Sequence, residues 1–163
     1  MLARLGAGAL AVGAAGGYAV LSGEAAVADA PYTLLDGSPH RLHDLRGQVV
    51  LVDFWATTCA ICLREMPQLI ATHRRFAPRG LQTLAVAMAY DPPARVIAYA
   101  EQRALPFGVV IDNLGAVARA FGPIEGTPTT LLLDRRGAVA LRQVGAPDFT
   151  ALHARIEQLL AQA

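Results

Sequence analysis

The stretch that decides the fold runs over Val49–Cys62 and reads V-V-L-V-D-F-W-A-T-T-C-A-I-C. Its first six residues, Val49–Phe54, form an apolar run broken by one acid, which is typical of a strand buried at the centre of a sheet. Thr57-Thr58 then offers a helix N-cap region, and Cys59–Arg75 predicts a helix that contains Pro67. The stretch therefore predicts a buried strand, a short loop and a helix that begins at a pair of cysteines.

Outward from this stretch, strand and helix patterns alternate along the chain. The predicted elements are a strand at Leu81–Tyr90, a helix at Ala94–Arg103, a strand at Phe107–Ile111, a helix at Leu114–Phe121, two hairpin strands at Thr129–Asp134 and Ala138–Val144, and a last helix capped by Asp148 that reaches Leu160. Short strands are also expected in the turn-rich segment Pro31–Gly47. Because parallel strands need crossover helices and these are supplied, the pattern predicts an α/β fold, with a central mixed sheet flanked by helices.

The N-terminus is typical of a targeting segment. Arg4 precedes an uncharged stretch that ends at Leu21, and Ala26-Val27-Ala28 supplies a small-x-small cleavage pattern. Residues 1–28 are therefore predicted to be a signal peptide or, as the alternative, an N-terminal membrane anchor, and 31–163 to be one domain. Either reading sends the domain across a membrane, to a periplasmic or other extracytoplasmic location.

Composition narrows the classes of function. The net charge of +1 in 163 residues gives no reason to expect nucleic acid as a partner. Two cysteines exclude a multi-bridge scaffold. No nucleotide, flavin or metal motif is found, so no cofactor is expected. The histidines show no ligand spacing relative to the cysteines and are predicted to lie at the surface: His40, His43, His73 and His153.

Cys59 and Cys62 are three residues apart at a predicted helix start. Residues at this spacing share one helix face and suit a disulfide. The unpaired N–H groups of the first turn stabilise a thiolate, the form of cysteine that attacks disulfides. We therefore predict that Cys59 is the exposed nucleophile and Cys62 the resolving thiol. An inert disulfide and half of a zinc site remain the alternatives.

Asp53 interrupts an otherwise apolar strand, where an unpaired carboxylate is costly. Burial should raise its pKa. A carboxyl group that titrates near neutral pH could take or give the proton of Cys62. The alternative is a buried structural acid bonded to backbone groups.

Several pieces of the chain resemble the periplasmic TlpA/ResA-like thiol–disulfide oxidoreductases of the thioredoxin family. They are Leu35-Asp36-Gly37, Leu45-Arg46-Gly47, Val50–Cys62, the Cys62–Pro67 run, Phe107–Asp112, Gly126–Thr130 and Leu131–Gly137. The resemblance covers residues 31 to 160. It implies a thioredoxin-like fold with an N-terminal extension and the insertion typical of this group.

The resemblance also implies roles for individual residues. Pro128 would be the family's cis-proline beside the cysteine pair, and Thr127 would offer backbone groups to an extended substrate. Trp55 would form part of the rim under the site and contribute to substrate binding. Glu65 would lie by the active site and tune the thiols or recognise substrate. Thioredoxins place a lysine near the buried acid, but segment Leu81–Tyr90 contains no charged residue. We therefore expect the pKa of Asp53 to be more perturbed than that of its thioredoxin counterpart.

The implied activity is reduction of protein disulfides. One candidate substrate is apocytochrome c, whose cysteines are kept as thiols during cytochrome c maturation. The implied electron donor is a membrane thiol transporter of the DsbD/CcdA kind. A disulfide-forming oxidase and a non-catalytic metallochaperone or binding module stay open as alternatives. Thr58 replaces the tryptophan usual before the first cysteine, which leaves substrate preference open. A peroxiredoxin is disfavoured because the positions that would need proline and threonine hold Val52 and Ala56.

Overall fold

The computed structural model describes residues 26–162, which contain seven strands, four α-helices and two short 3-10 helices. The strands are β1 (Pro31–Thr33), β2 (Pro39–Arg41), β3 (Val49–Trp55), β4 (Leu81–Ala87), β5 (Gly108–Ile111), β6 (Thr129–Leu133) and β7 (Val139–Val144). The helices are α1 (Ala60–Phe76), α2 (Pro93–Arg103), α3 (Ala116–Ala120) and α4 (Phe149–Leu160). Most of the predicted leader, residues 1–25, lies outside the described residues. Among residues 26–162, no helix has the length and apolarity that a bilayer crossing requires.

Strand β3 lies at the centre of a five-stranded sheet with the order β5-β4-β3-β6-β7. It pairs in parallel with β4 and antiparallel with β6. The β6–β7 hairpin provides the antiparallel edge, and β1–β2 form a separate two-stranded sheet. The predicted α/β fold with a mixed central sheet is therefore confirmed.

Both faces of the sheet are buried, so β3 is shielded along its whole length. Alternate residues of a strand point to opposite faces. Val49, Leu51 and Trp55 pack in the core that also contains α1 and α4, whereas Val50, Val52 and Phe54 pack in the core on the other side. Asp53 shares the face of Leu51 and Trp55 and is therefore directed toward the layer that carries α1.

Two predicted boundaries were wrong in ways that matter for the site. The N-cap of α1 is Cys59, not the Thr57-Thr58 pair, and its sulfur accepts a hydrogen bond from the Cys62 N–H. Strand β4 ends at Ala87, not Tyr90. The chain turns there because the Asp91 N–H donates to the Met88 carbonyl at 2.9 Å. The Asp148 cap is confirmed: its carboxylate accepts from the N–H groups of Thr150 and Ala151.

The histidines lie at the surface to different degrees. Only His43 is exposed, and the other three are partly buried. His153 Nε2 lies 2.8 Å from Thr72 Oγ1, and His73 Nδ1 lies 3.1 Å from Thr83 Oγ1. Within residues 26–162, no cluster of three His, Cys, Asp or Glu residues is arranged to hold a metal ion.

Candidate functional site

Cys59 and Cys62 are joined in a disulfide at the start of α1. The two Sγ atoms lie 2.20 Å apart and the two Cα atoms 5.2 Å apart. Cys59 is the N-cap, and its Sγ accepts the Cys62 N–H at 3.1 Å. A helix N-terminus presents unpaired N–H groups and a partial positive charge. In the reduced protein the same place would stabilise a thiolate on Cys59.

The two sulfurs differ in their access to solvent. Cys59 is partly exposed, whereas Cys62 is 3% exposed and belongs to the core. A substrate can therefore reach Cys59 from outside. Cys62 is placed to act only on a bond that Cys59 has already formed.

The loop before β6 lies against the exposed sulfur. The Thr127–Pro128 peptide bond is cis, as the family resemblance implies. The Thr127 carbonyl oxygen lies 3.5 Å from Cys59 Sγ. Pro128 is buried, and its carbonyl accepts the Gly145 N–H at 2.8 Å. This loop is fixed to the end of β7 and places the backbone of Thr127 beside the reactive atom.

Asp53 lies in the middle of β3, between Ala85 of β4 and Thr130 of β6. Its carboxyl group accepts the Thr130 hydroxyl at 3.2 Å. Burial raises the pKa of Asp53 to about 7, the Thr130 hydrogen bond opposes this rise, and the negative charge of Glu65 adds to it. The predicted rise in pKa is confirmed. A group that titrates near neutral pH suits proton transfer.

Glu65 and Cys62 meet Asp53 around a small cavity behind the disulfide. Its lining also includes Met66, Leu69, Thr130, Pro147, Phe149 and Leu152. The cavity measures about 10 Å³, which is room for roughly one water. Burial also raises the pKa of Glu65, and the Arg64 charge counters the rise. The structure thus brings together the buried sulfur of Cys62 and both predicted acids.

Trp55 does not lie at the rim of the site. Its side chain is 0% exposed, and its ring packs against Tyr99 with the ring centroids 5.3 Å apart. Trp55 belongs to β3, every residue of which is buried. The prediction that Trp55 binds substrate is therefore corrected: the residue supports the site from within the core.

Two residues near the site were missed from the sequence. Asp91 is 1% exposed, and its carboxylate accepts the Thr57 N–H at 2.5 Å and the Thr57 hydroxyl at 2.6 Å. Tyr90 places its hydroxyl 3.1 Å from Thr127 Oγ1. The sequence marks these residues only as the end of a strand, before Pro92 and Pro93.

Comparison with known proteins agrees with this geometry. A profile described as Redoxin matches residues 21–160. The thiol-disulfide oxidoreductase ResA of Geobacillus thermodenitrificans is 39% identical over 105 residues, which cover 64% of this chain and 59% of that protein. ResA of Geobacillus kaustophilus is 39% identical over 109 residues, which cover 66% and 60%. The chain thus spans about three-fifths of the length of these relatives.

A solved structure shows the same fold. The solution structure of a Neisseria meningitidis protein assigned as a thioredoxin superposes with a TM-score of 0.78 at 34% identity, over 84% of this chain and 91% of that one. The thioredoxin-like fold and the resemblance to ResA-like proteins are thus confirmed. With most of its length matched by the profile, the chain belongs to the Redoxin family.

Proposed function

We propose that this protein is a thiol–disulfide oxidoreductase that reduces disulfides in other proteins. The observation that carries the proposal is the Cys59–Cys62 disulfide at the N-terminus of α1, with one sulfur partly exposed and the other buried. Relatives named thiol-disulfide oxidoreductase ResA support it.

The reaction follows from the positions of the two sulfurs. The Cys59 thiolate attacks one sulfur of a substrate disulfide, forms a mixed disulfide and expels the other substrate sulfur as a thiolate. The Cys62 thiolate then attacks Cys59 Sγ and expels the remaining substrate thiolate. Two electrons pass from the dithiol to the substrate, and the protein is left with its Cys59–Cys62 disulfide.

Asp53 serves the second step in this proposal. Cys62 must lose its proton before it attacks, and its burial near two carboxyl groups disfavours a thiolate. Asp53 lines the same cavity and has a pKa of about 7. It accepts that proton in its ionised form, while Glu65 adjusts how readily Asp53 ionises.

Thr127 serves substrate binding in this proposal. Its carbonyl lies next to Cys59 Sγ, where an extended substrate backbone could pair with it as an added strand. The exposed side of the site therefore offers a reactive sulfur and, on a fixed loop, a backbone carbonyl that can accept a hydrogen bond from substrate.

The location and the recycling partner are further parts of the proposal. The uncharged stretch that ends at Leu21 supports export, with the domain either released or anchored by its N-terminus. An exported dithiol needs a reductant, and we assign that role to a membrane thiol transporter of the DsbD/CcdA kind. Maturation of cytochrome c is one process in which such a reductase would act.

A single-turnover reaction with insulin tests the activity. Fully reduced protein, free of other thiols, is mixed with insulin, and the products are resolved by mass spectrometry. The proposal predicts a stoichiometric gain of insulin thiols and conversion of the protein to its Cys59–Cys62 disulfide. The matched control is the Cys59→Ser variant, which should yield no insulin thiols. Unchanged insulin in the presence of the reduced wild-type protein would refute the activity.

A further inference from the structure

Tyr90 is a large aromatic residue that the fold leaves 61% exposed, and its hydroxyl reaches the cis-proline loop that contacts the reactive sulfur. Its backbone is fixed on both sides. The Met88 N–H donates to the Trp55 carbonyl at 3.0 Å, and the Asp91 carboxylate holds Thr57 through two hydrogen bonds. The turn that carries Tyr90 is therefore tied to the loop that carries Cys59.

The side chain of Tyr90 is fixed from the opposite side of the site. Its hydroxyl lies 3.1 Å from Thr127 Oγ1, and the carbonyl of Thr127 lies 3.5 Å from Cys59 Sγ. Tyr90 thus bridges the turn after β4 and the cis-proline loop. A tyrosine has only two side-chain torsions, so a ring held at its tip offers a rigid contact surface at low entropic cost.

Apolar side chains are exposed on the segment that follows Cys59 and next to the cis-proline loop. Ile61 is 37% exposed, and Val144, which pairs with Thr129 at the end of β7, is 50% exposed. The segments 56–63, 88–90 and 126–130 contain no ionisable residue other than the two cysteines and Tyr90, and the exposed Arg64 and Glu125 border them. Exposed apolar groups that cluster beside a reactive atom are typical of a binding surface.

We infer that Tyr90 determines which substrates react: its ring forms the wall against which an apolar side chain next to the substrate's reacting cysteine packs. The preferred substrate is an extended polypeptide segment whose cysteine is flanked by an aromatic or large aliphatic residue. This inference rests on the proposed disulfide exchange at Cys59 and adds the substrate class. Tyr90 takes no part in bond making, and its hydrogen bond to Thr127 keeps the ring in place.

Two matched peptides measure this preference. Each has four residues, acetyl-Gly-X-Cys-Gly-amide, with X either phenylalanine or serine, and each carries thionitrobenzoate on its cysteine as a mixed disulfide. Reduced protein attacks the peptide sulfur and releases coloured thionitrobenzoate, so the second-order rate constant is read directly. Bis(2-hydroxyethyl) disulfide, which has no side chain to pack, reports the reactivity of Cys59 alone.

For the wild-type protein we expect the phenylalanine peptide to react about tenfold faster than the serine peptide, a ratio typical of one apolar contact. Tyr90→Ala should reduce the ratio to less than about twofold, with the rate toward bis(2-hydroxyethyl) disulfide unchanged. Tyr90→Phe keeps the ring and loses its hydrogen bond to Thr127, so its ratio should lie between the two. The exposed residue Leu35 lies beside the edge strand β5, where its N–H donates a hydrogen bond to the Val109 carbonyl. Leu35→Ala is therefore the control and should keep the wild-type ratio.

Three results would overturn the inference: no preference in the wild-type protein, a preference that survives Tyr90→Ala, or a loss of the small-disulfide reaction in Tyr90→Ala. The last result would make Tyr90 a residue that positions Cys59 rather than one that selects substrates. Failure of the proposed function looks different, because then the wild-type protein would react with neither the peptides nor the small disulfide.

Discussion

The two sides of the disulfide are built from different kinds of residue. On the outer side, Cys59 lies beside the Thr127 carbonyl, and the side chain of Thr127 contacts the exposed Tyr90. On the inner side, Cys62 meets two carboxyl groups around a small buried cavity. Residues only three apart in sequence thus occupy surroundings suited to different tasks. The outer side is suited to binding protein substrates, and the inner side to accepting the proton of Cys62.

Replacing either cysteine by serine should have the largest effect on activity, and the two replacements should differ in their outcome. Cys59→Ser removes the attacking sulfur, and we expect insulin reduction to fall at least about 1,000-fold. Cys62→Ser keeps the attacking sulfur, so a mixed disulfide between Cys59 and insulin should accumulate. Non-reducing gels with mass spectrometry measure both outcomes. Equal accumulation of mixed disulfide by the two variants would contradict the assignment of roles.

Asp53→Asn should slow only the inner step. A neutral amide cannot accept the Cys62 proton, and loss of a general base costs about 100-fold or more. We expect the mixed disulfide at Cys59 to form at the wild-type rate and to resolve about 100-fold more slowly at pH 8. Rapid quenching with acid, followed by mass spectrometry, separates the two steps. A normal resolution rate in Asp53→Asn would show that Asp53 is only structural.

The same substitution should raise stability at alkaline pH. Asp53 has a pKa of about 7 in the folded protein, against 3.8 for an unperturbed aspartate, so its contribution to stability is complete below pH 4 and is lost as pH rises through 7. At 1.36 kcal/mol per unit, the loss approaches about 4 kcal/mol as an upper bound. In urea unfolding of the oxidised protein, the free energy of unfolding of Asp53→Asn should exceed that of the wild-type protein at pH 8 but not at pH 4. Asp44→Asn, at an exposed carboxylate, is the control and should show no such gain.

Glu65→Gln should produce the smallest effect on the inner side. The charge of Glu65 helps to raise the pKa of Asp53, but burial is the first cause and remains in the variant. The titration midpoint of Asp53, followed by carbon NMR of its carboxyl group, should therefore fall from about 7 without reaching 3.8. An unchanged midpoint would show that Glu65 does not act on Asp53.

Most of the fold and part of the site could be predicted from local patterns in the sequence. The run from Val49 predicts the central strand, and the spacing of the cysteines predicts their bond, because both depend on neighbours in the chain. The hydrogen bonds from Thr57 to Asp91 and between the hydroxyls of Tyr90 and Thr127 join residues 34 and 37 positions apart. No local pattern reports such pairs, which form only when the loops meet at one edge of the sheet.

Trp55 shows a different reason for error. The family resemblance suggested a rim position, but strand alternation places Trp55 on the same face as Leu51 and Asp53, beneath α1. The burial of both faces of β3 then encloses its ring completely. The pattern of the strand itself was the better guide to this residue.

The pH dependence of alkylation at Cys59 tests the central claim most directly. In the reduced Cys62→Ser variant, Cys59 is the only thiol, and the backbone N–H of residue 62 remains to stabilise its thiolate. The rate of reaction with iodoacetamide should rise with a midpoint between roughly pH 3.5 and 7.5, the range of cysteines activated in this way. A midpoint at or above about 8.5, the value of a free cysteine, would contradict activation by the helix start.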